Sequence, residues 1–326
     1  MNALQHVKRT GLNTKSWDNC IMNSQNPQHF ALSWFLDAAG MEWEALVEID
    51  EQTNEYLTVM PFQVTYAWGI KHIFQSPFCQ QLGVFSTKKS FSTRDFQPYF
   101  DYLKDQKYVG KYFFHHANPI RTTRTMNTHI LSLNSPYPTL KSVYSKGRKD
   151  ALRKSINNGI TIQKTNNYRH ICDGYTRLIA ERNEGYQDHV GKDLLNVIEA
   201  AYYHGILESF YAIDREKNII GGMSFMVSKY KIDIYTSFTT AEGLKYGCTT
   251  LLMDHIIQKY ANTNKTLDFC GSHIESINQF FQYFGAKKVQ IPLLHVNNLP
   301  WWIKGIKWLK NKLIDELILQ KKVLYS

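Results

Sequence analysis

The sequence is poor in the spacings that announce a metal, a redox centre or a membrane span. Its five cysteines, Cys20, Cys79, Cys172, Cys248 and Cys270, are scattered, odd in number and never in C-x-x-C spacing, which excludes a zinc ribbon or a dithiol motif. They read as reduced thiols. No run approaches the ~20 apolar residues of a membrane-crossing helix, and residues 1–11 are polar and basic with no apolar segment behind them, so no secretory leader is expected. G-x-S-x-G, Walker, G-x-G-x-x-G and H-E-x-x-H motifs are all missing. His115-His116, His189 and His204 lack ligand spacing, and no metal is expected. Acid is also short: 28 Asp plus Glu against 38 Lys plus Arg leave a net charge of +10. That surplus favours an acidic partner, and nucleic acid, anionic lipid and phosphorylated metabolites satisfy it equally. The reading is a soluble cytoplasmic protein.

What is present is enough apolar residue for two cores: 43% of 326 residues, where single cores seldom grow beyond about 250. Two domains are expected, 1–135 and 136–326, divided at the break Ser135-Pro136-Tyr137-Pro138. The stretch 219–286 carries the clearest pattern, in the order strand, strand, glycine-bearing loop, helix, strand, helix. Ile219-Ile220-Gly221-Gly222-Met223-Ser224-Phe225-Met226-Val227 is too short and glycine-rich for a helix, and Lys231-Ile232-Asp233-Ile234-Tyr235-Thr236-Ser237-Phe238 follows at hairpin distance. The loop through Glu242, Gly243, Tyr246, Gly247, Cys248 and Thr249 then opens a helix whose apolar residues recur at helical spacing. Free N–H groups at such a helix start suit a phosphate, a carboxylate or an oxyanion; equally, the two glycines can do no more than permit the turn.

The N-terminal part repeats this pattern. Glu48-Ile49-Asp50 answers Ala212-Ile213-Asp214, Met60-Pro61-Phe62 answers Met223-Ser224-Phe225, and Phe74-Gln75-Ser76 answers Tyr235-Thr236-Ser237, so one βαβ-containing unit occurs twice. The pattern predicts strands over 44–49, 56–64, 71–76 and 112–116 and helices over 30–37, 94–104, 168–183 and 194–203. Between the copies lies a basic segment predicted helical over 143–156, with Val143, Ala151, Leu152 and Ile156 inward. Its cations are either a solvated face or a clamp for phosphates, Arg offering a bidentate fork and Lys a point charge.

Tyr144-Ser145-Lys146-Gly147-Arg148-Lys149 with Leu152-Arg153-Lys154 and Gly159, Leu267-Asp268-Phe269-Cys270-Gly271-Ser272, and Phe280-Phe281-Gln282-Tyr283-Phe284-Gly285-Ala286 together resemble the FemABX-like branch of the GNAT acyltransferases. The resemblance covers most of 17–291. It implies an α/β (α+β) fold of two tandem GNAT-like domains, each a central mixed sheet flanked by helices. It also implies transfer of an acyl or aminoacyl group, from acyl-CoA or aminoacyl-tRNA, to an amine on an anionic or lipid-linked acceptor such as a cell-wall precursor. By position, the donor would meet Tyr235, Ser237, Phe238, Gly243, Gly247, Cys248 and Thr249. The acceptor or its phosphates would meet Tyr144, Lys146, Arg148, Arg153, Lys154, Gly271, Ser272 and Glu275, where Ser272-His273-Ile274-Glu275 also reads as a capping box. Two departures mark this chain. CoA-using members carry Q/R-x-x-G-x-G/A where this chain has Leu244-Lys245-Tyr246-Gly247-Cys248-Thr249, and the usual leaving-group tyrosine is Phe281. Glu242 and Tyr246 are the nearby candidates for proton transfer. The competing reading is a non-catalytic double-GNAT module that holds an anionic ligand in a basic cleft. Finally, 300–314 can set Trp302, Ile306, Leu309 and Leu313 along one helical side with Lys304, Lys307 and Lys310 elsewhere, a pattern that suits an anionic membrane surface or a core-covering helix.

Overall fold

A computed structural model describes residues 3–40, 42–67, 70–105, 109–122, 124–182, 188–270 and 275–298 of the chain. The first half runs β1 (Leu4–Lys8), α1 (Thr14–Met22), α2 (Ser33–Ala38), β2 (Glu42–Ile49), β3 (Tyr56–Ala67), β4 (Ile70–Phe74), β5 (Phe85–Ser86), α3 (Thr93–Asp105), β6 (Val109–Phe113) and β7 (Arg124–Ser132). It is followed by α4 (Tyr137–Ser142), α5 (Lys146–Asn157), β8 (Thr161–Thr165), α6 (Tyr168–Arg182), α7 (Asp188–Tyr203), β9 (Leu207–Ile213), β10 (Ile219–Val227) and β11 (Lys231–Thr239). The chain closes with α8 (Ala241–Tyr246), α9 (Cys248–Lys259), β12 (Thr266–Asp268), α10 (Glu275–Gln282) and β13 (Lys287–Asn297). Local chemistry sets several starts: Asn13, Ser145 and Thr240 cap α1, α5 and α8 by accepting backbone N–H bonds.

One continuous mixed sheet carries both halves, in the order β1-β2-β3-β4-β6-β13-β7-β12-β11-β10-β9-β8, with β5 paired to β3. The repeat is visible in it. The antiparallel run β1 to β4 continues into parallel β6, just as β8 to β11 continues into parallel β12. The last strand of each half crosses over. β7, from the first half, lies between β12 and β13, whereas β13, from the second, lies between β6 and β7. This exchange ties the halves together more tightly than a linker would, and the larger core follows suit. It gathers Trp17, Phe35, Phe62 and Phe114 with Val197, Met226, Leu294 and Val296 from the second half. A second core, around Phe225, Ile232, Leu252, Ile256 and Phe284, lies beneath α9. β9 and β10 are buried along nearly their whole length, as strands covered on both faces must be. At the β4–β6 contact a side chain on Gly110 would meet the Ile73 carbonyl oxygen at 1.8 Å, so only glycine permits that approach.

Candidate active site

The second copy of the unit opens at one place. β11 and β12 pair in parallel through Lys231/Thr266, Ile232/Leu267 and Asp233/Asp268, and there the ladder stops. β11 continues to Thr239 against β10, with a bulge that leaves Tyr235 opposite no residue, since Thr236 pairs with Ser224 and Ile234 with Phe225. The other chain turns away at Cys270, whose φ of 59° is rare for a residue with a side chain. Among the described residues, β11 therefore has no ladder partner on its β12 side from Ile234 to Thr239, and an edge of this kind presents main-chain donors and acceptors. The hydroxyl of Tyr235 donates to the Phe78 carbonyl at 3.2 Å, bringing the first half up to the splay.

The closed end of the splay holds a buried ionic network. Lys231 Nζ lies 2.9 Å from Asp233 Oδ1, 2.9 Å from Asp268 Oδ2 and 2.9 Å from Gln28 Oε1. Asp268 also accepts from Gln81 Nε2 at 3.0 Å, Thr128 Oγ1 at 2.5 Å and the Cys270 N–H at 2.9 Å. The Cys270 thiol donates to Asp233 Oδ1 at 3.3 Å. Both carboxylates are fully buried. Burial opposes the charge on Lys231, but the two aspartates outweigh it and hold the ammonium above its ordinary range. Asp268 has the donors, so Lys231 and Thr128 overcome its burial and keep it ionised. Asp233 has fewer, and burial with the Asp268 charge lifts it to about 6 against the pull of Lys231. Among the described residues its Oδ2 has no hydrogen-bond partner, and it faces His29 Nδ1 at 3.6 Å; burial and the Lys231 charge push that imidazole down to about 3 against the pull of Asp268. Asp233, Asp268 and Cys270 bring ligand atoms within 4.8 Å of one another. The ammonium already supplies the positive charge there, and burial next to both carboxylates holds the thiol protonated, so this donor set does not fit a metal ion.

The residues expected from sequence fall into three groups. Tyr235, Ser237 and Phe238 lie on the splayed edge, with Phe238 packed against Gly174, Gly222 and His170. The loop residues are held by packing. A side chain on Gly243 would strike the Ile220 carbonyl oxygen at 2.1 Å, and Gly247, at φ 75°, joins α8 to α9 against Ala151 and Ser155. Thr249 bonds Thr239 at 3.0 Å, and burial pushes the Cys248 thiol, near the Ile220 carbonyl, up to about 11. Glu242 is exposed and Tyr246 half-buried beneath Lys245; neither belongs to the ionic network.

The basic helix differs from expectation. Val143 and Ile156, expected inward, are 58% and 56% exposed, while the buried positions of α5 are Leu152 and Ser155. Lys146, Arg153 and Lys154 face solvent, Arg153 pairing with Asp150 one turn back. Arg148 instead turns inward, donating to Thr250 at 2.9 Å with its guanidinium 4.6 Å from the Phe280 ring centre. Tyr144 is buried near Asp254, which accepts from Tyr137 at 2.8 and 2.9 Å. Glu275 is exposed at the start of α10. Gly271, Ser272 and 300–314 lie outside the described residues. Among the described residues no helix is long and apolar enough to cross a membrane.

No protein-family model and no curated protein matches this sequence. Solved structures do match the fold. A crystal structure of FemX superimposes with a TM-score of 0.62 at 11% identity, over 90% of this chain and 98% of that one. A tandem GNAT protein from the clavulanic acid biosynthesis pathway gives 0.50 at 8% identity, over 91% and 99%. The C-terminal domain of a putative lysylphosphatidylglycerol synthetase from Agrobacterium fabrum gives 0.50 at 11%, over 88% and 92%. The fold is thus a tandem GNAT-like fold, shared with FemX, a mixed sheet flanked by helices. At such identities the likeness is one of fold.

Proposed function

We propose that the protein moves an acyl or aminoacyl group from an activated donor, an acyl-CoA thioester or an aminoacyl-tRNA ester, to an amine, with the reacting carbonyl at the open edge of β11. The general class is supported by the fold it shares with FemX and the tandem GNAT protein. The observation that carries the reading is the splay itself: a parallel ladder that stops at Asp233/Asp268 beside a bulge at Tyr235. A donor laid along 234–239 would add to the sheet through main-chain hydrogen bonds. An N–H freed by the bulge would then meet the carbonyl oxygen as it gains charge, the requirement of acyl transfer. The net charge of +10 supports an anionic donor or acceptor.

The test is transfer itself. Purified full-length protein is incubated with labelled acyl-CoAs or charged tRNAs and a panel of amines, and the product is treated with alkaline hydroxylamine, which cleaves esters and thioesters and spares amides. Hydroxylamine-stable label on an amine is the expected result; no transfer from any donor would contradict the reading.

A further inference from the structure

A cavity of about 360 Å³ lies between the first half's 24–28 loop, the His115-His116 turn and the starts of β11 and β12. It opens on the sheet face that carries Lys231, beside the closed end of the splay, and its volume is at the small end of ligand sites. The wall is chemically distinctive. His116 Nδ1 lies 3.1 Å from Gln81 Oε1, and Gln81 spends its amide nitrogen on Asp268. Only an N–H can complete that contact, so the proton sits on Nδ1 and Nε2 keeps a lone pair. Nε2 has no hydrogen bond among the described residues and is not enclosed, on a residue that lines the cavity. Burial and the Lys231 charge, against the pull of Asp268, keep the ring neutral.

The lysine in the wall does not make this an anion site. All three of its hydrogens go to Asp233, Asp268 and Gln28, so its charge is spent on partners behind the surface. What remains in the wall for a ligand is uncharged: the His116 lone pair, Asn26 and Thr266, while the ring of Tyr230 at the rim already carries the Lys229 ammonium 4.8 Å from its centre. Uncharged amide, hydroxyl and imidazole groups suit a molecule rich in hydroxyls. We infer that this cavity binds a neutral-bodied, hydroxyl-rich ligand that donates a hydrogen to His116 Nε2, and that under the acyl-transfer reading above it is the acceptor's seat.

Binding is tested directly on the full chain, without turnover, by calorimetry with glucosamine as probe and cyclohexylamine as the control that keeps the ring and amine but has no hydroxyls. Glucosamine is expected to bind at least about ten-fold more tightly than cyclohexylamine. His116→Ala should weaken it by a similar factor, and Asn26→Trp, a change on an exposed loop that fills the rim, should abolish it, while both variants keep the parent's far-UV circular dichroism spectrum. Equal binding of the two amines, no binding of glucosamine, or glucosamine binding indifferent to both variants would overturn the inference. The two readings fail separately: an amide product formed by a protein without this binding pattern sinks the cavity alone, and the binding pattern without any transfer sinks the acyltransferase reading alone.

Discussion

The side chain of Gln75 closes on the backbone of Phe113, its amide oxygen accepting the Phe113 N–H at 2.8 Å. In the first copy of the unit the parallel β4–β6 ladder ends at Phe74/Lys111. The gap beyond is filled by this glutamine and by Leu82, whose N–H bonds the Phe113 carbonyl at 3.0 Å. The equivalent edge of β11 has no such partner among the described residues. Two copies of one unit thus carry different gaps, and chemistry is expected at the second. Gln75→Ala should cost about 1–3 kcal/mol by leaving the Phe113 N–H unsatisfied, read by urea denaturation, with acyl transfer unchanged. A loss of transfer larger than the loss of folded protein would place the reaction in the first half.

Removing the buried cation should be far more damaging. Lys231→Met leaves Asp233 and Asp268 facing each other without compensation, a change expected to cost about 3–5 kcal/mol. Adding Asp268→Asn should recover part of that loss, since the remaining carboxyl can take up a proton. If Lys231→Met is as stable as the parent, the network is not ionised as described.

Stability should rise with pH across the acid range. His29, at about 3 when folded, refuses a proton that the unfolded ring binds below its ordinary 6.5, so the folded state gains as pH climbs between those values. His115, lowered by burial, by His116 and by Lys231, acts in the same direction. Asp233 opposes them: folded at about 6 against an ordinary 3.8, it retains a proton the unfolded chain has lost, and its contribution falls as pH rises through that interval. His116, His129 and His255, also lowered by burial, add to the rise, and Asp18 and Asp254, raised by burial, subtract from it; five histidines against three carboxyls leave a net rise. The urea midpoint should be higher at pH 6.5 than about two units below, and His29→Phe should shrink the difference; an unaltered difference would remove His29 as its source.

On α5, Arg148→Ala is expected to destabilise by about 1–2 kcal/mol, losing a hydrogen bond to Thr250 and the contact over Phe280. Arg153→Ala, on an exposed pair within its own helix, should change stability by no more than about 0.5 kcal/mol. Thermal unfolding separates them, and equal effects would refute the inward placement of Arg148.

Much of the architecture was legible because it is local. Apolar runs bounded by turns gave β2, β3, β10 and β11 nearly to their ends, and helical spacing gave α3, α6 and most of α7. The repeat exposed the matched units. The crossing of β7 and β13 was not legible: which strands lie side by side depends on contacts between residues more than 150 positions apart, such as Lys287 with Ile130, and no local pattern encodes them. The glycines of the 242–249 loop looked equally suited to a ligand and to a turn, and close packing against Ile220, Ala151 and Ser155 shows why each position needs a glycine. The ionic network escaped for a different reason. Lys231 and Asp233 alternate with Ile232 and Ile234, the usual mark of a strand with one wet face, yet here that face is covered by Gln28, 203 residues away in sequence. Charged residues of opposite sign two apart on an otherwise apolar strand were the available signal.

Amide hydrogen exchange over 234–239, read by mass spectrometry with and without saturating donor, is the most direct test of acyl transfer at the β11 edge. If an acyl-CoA or aminoacyl-tRNA lies along this strand as an added partner, these amides should exchange more slowly when it binds, Tyr235 at the bulge among them. A donor that binds and is turned over while exchange across 234–239 stays the same would contradict it.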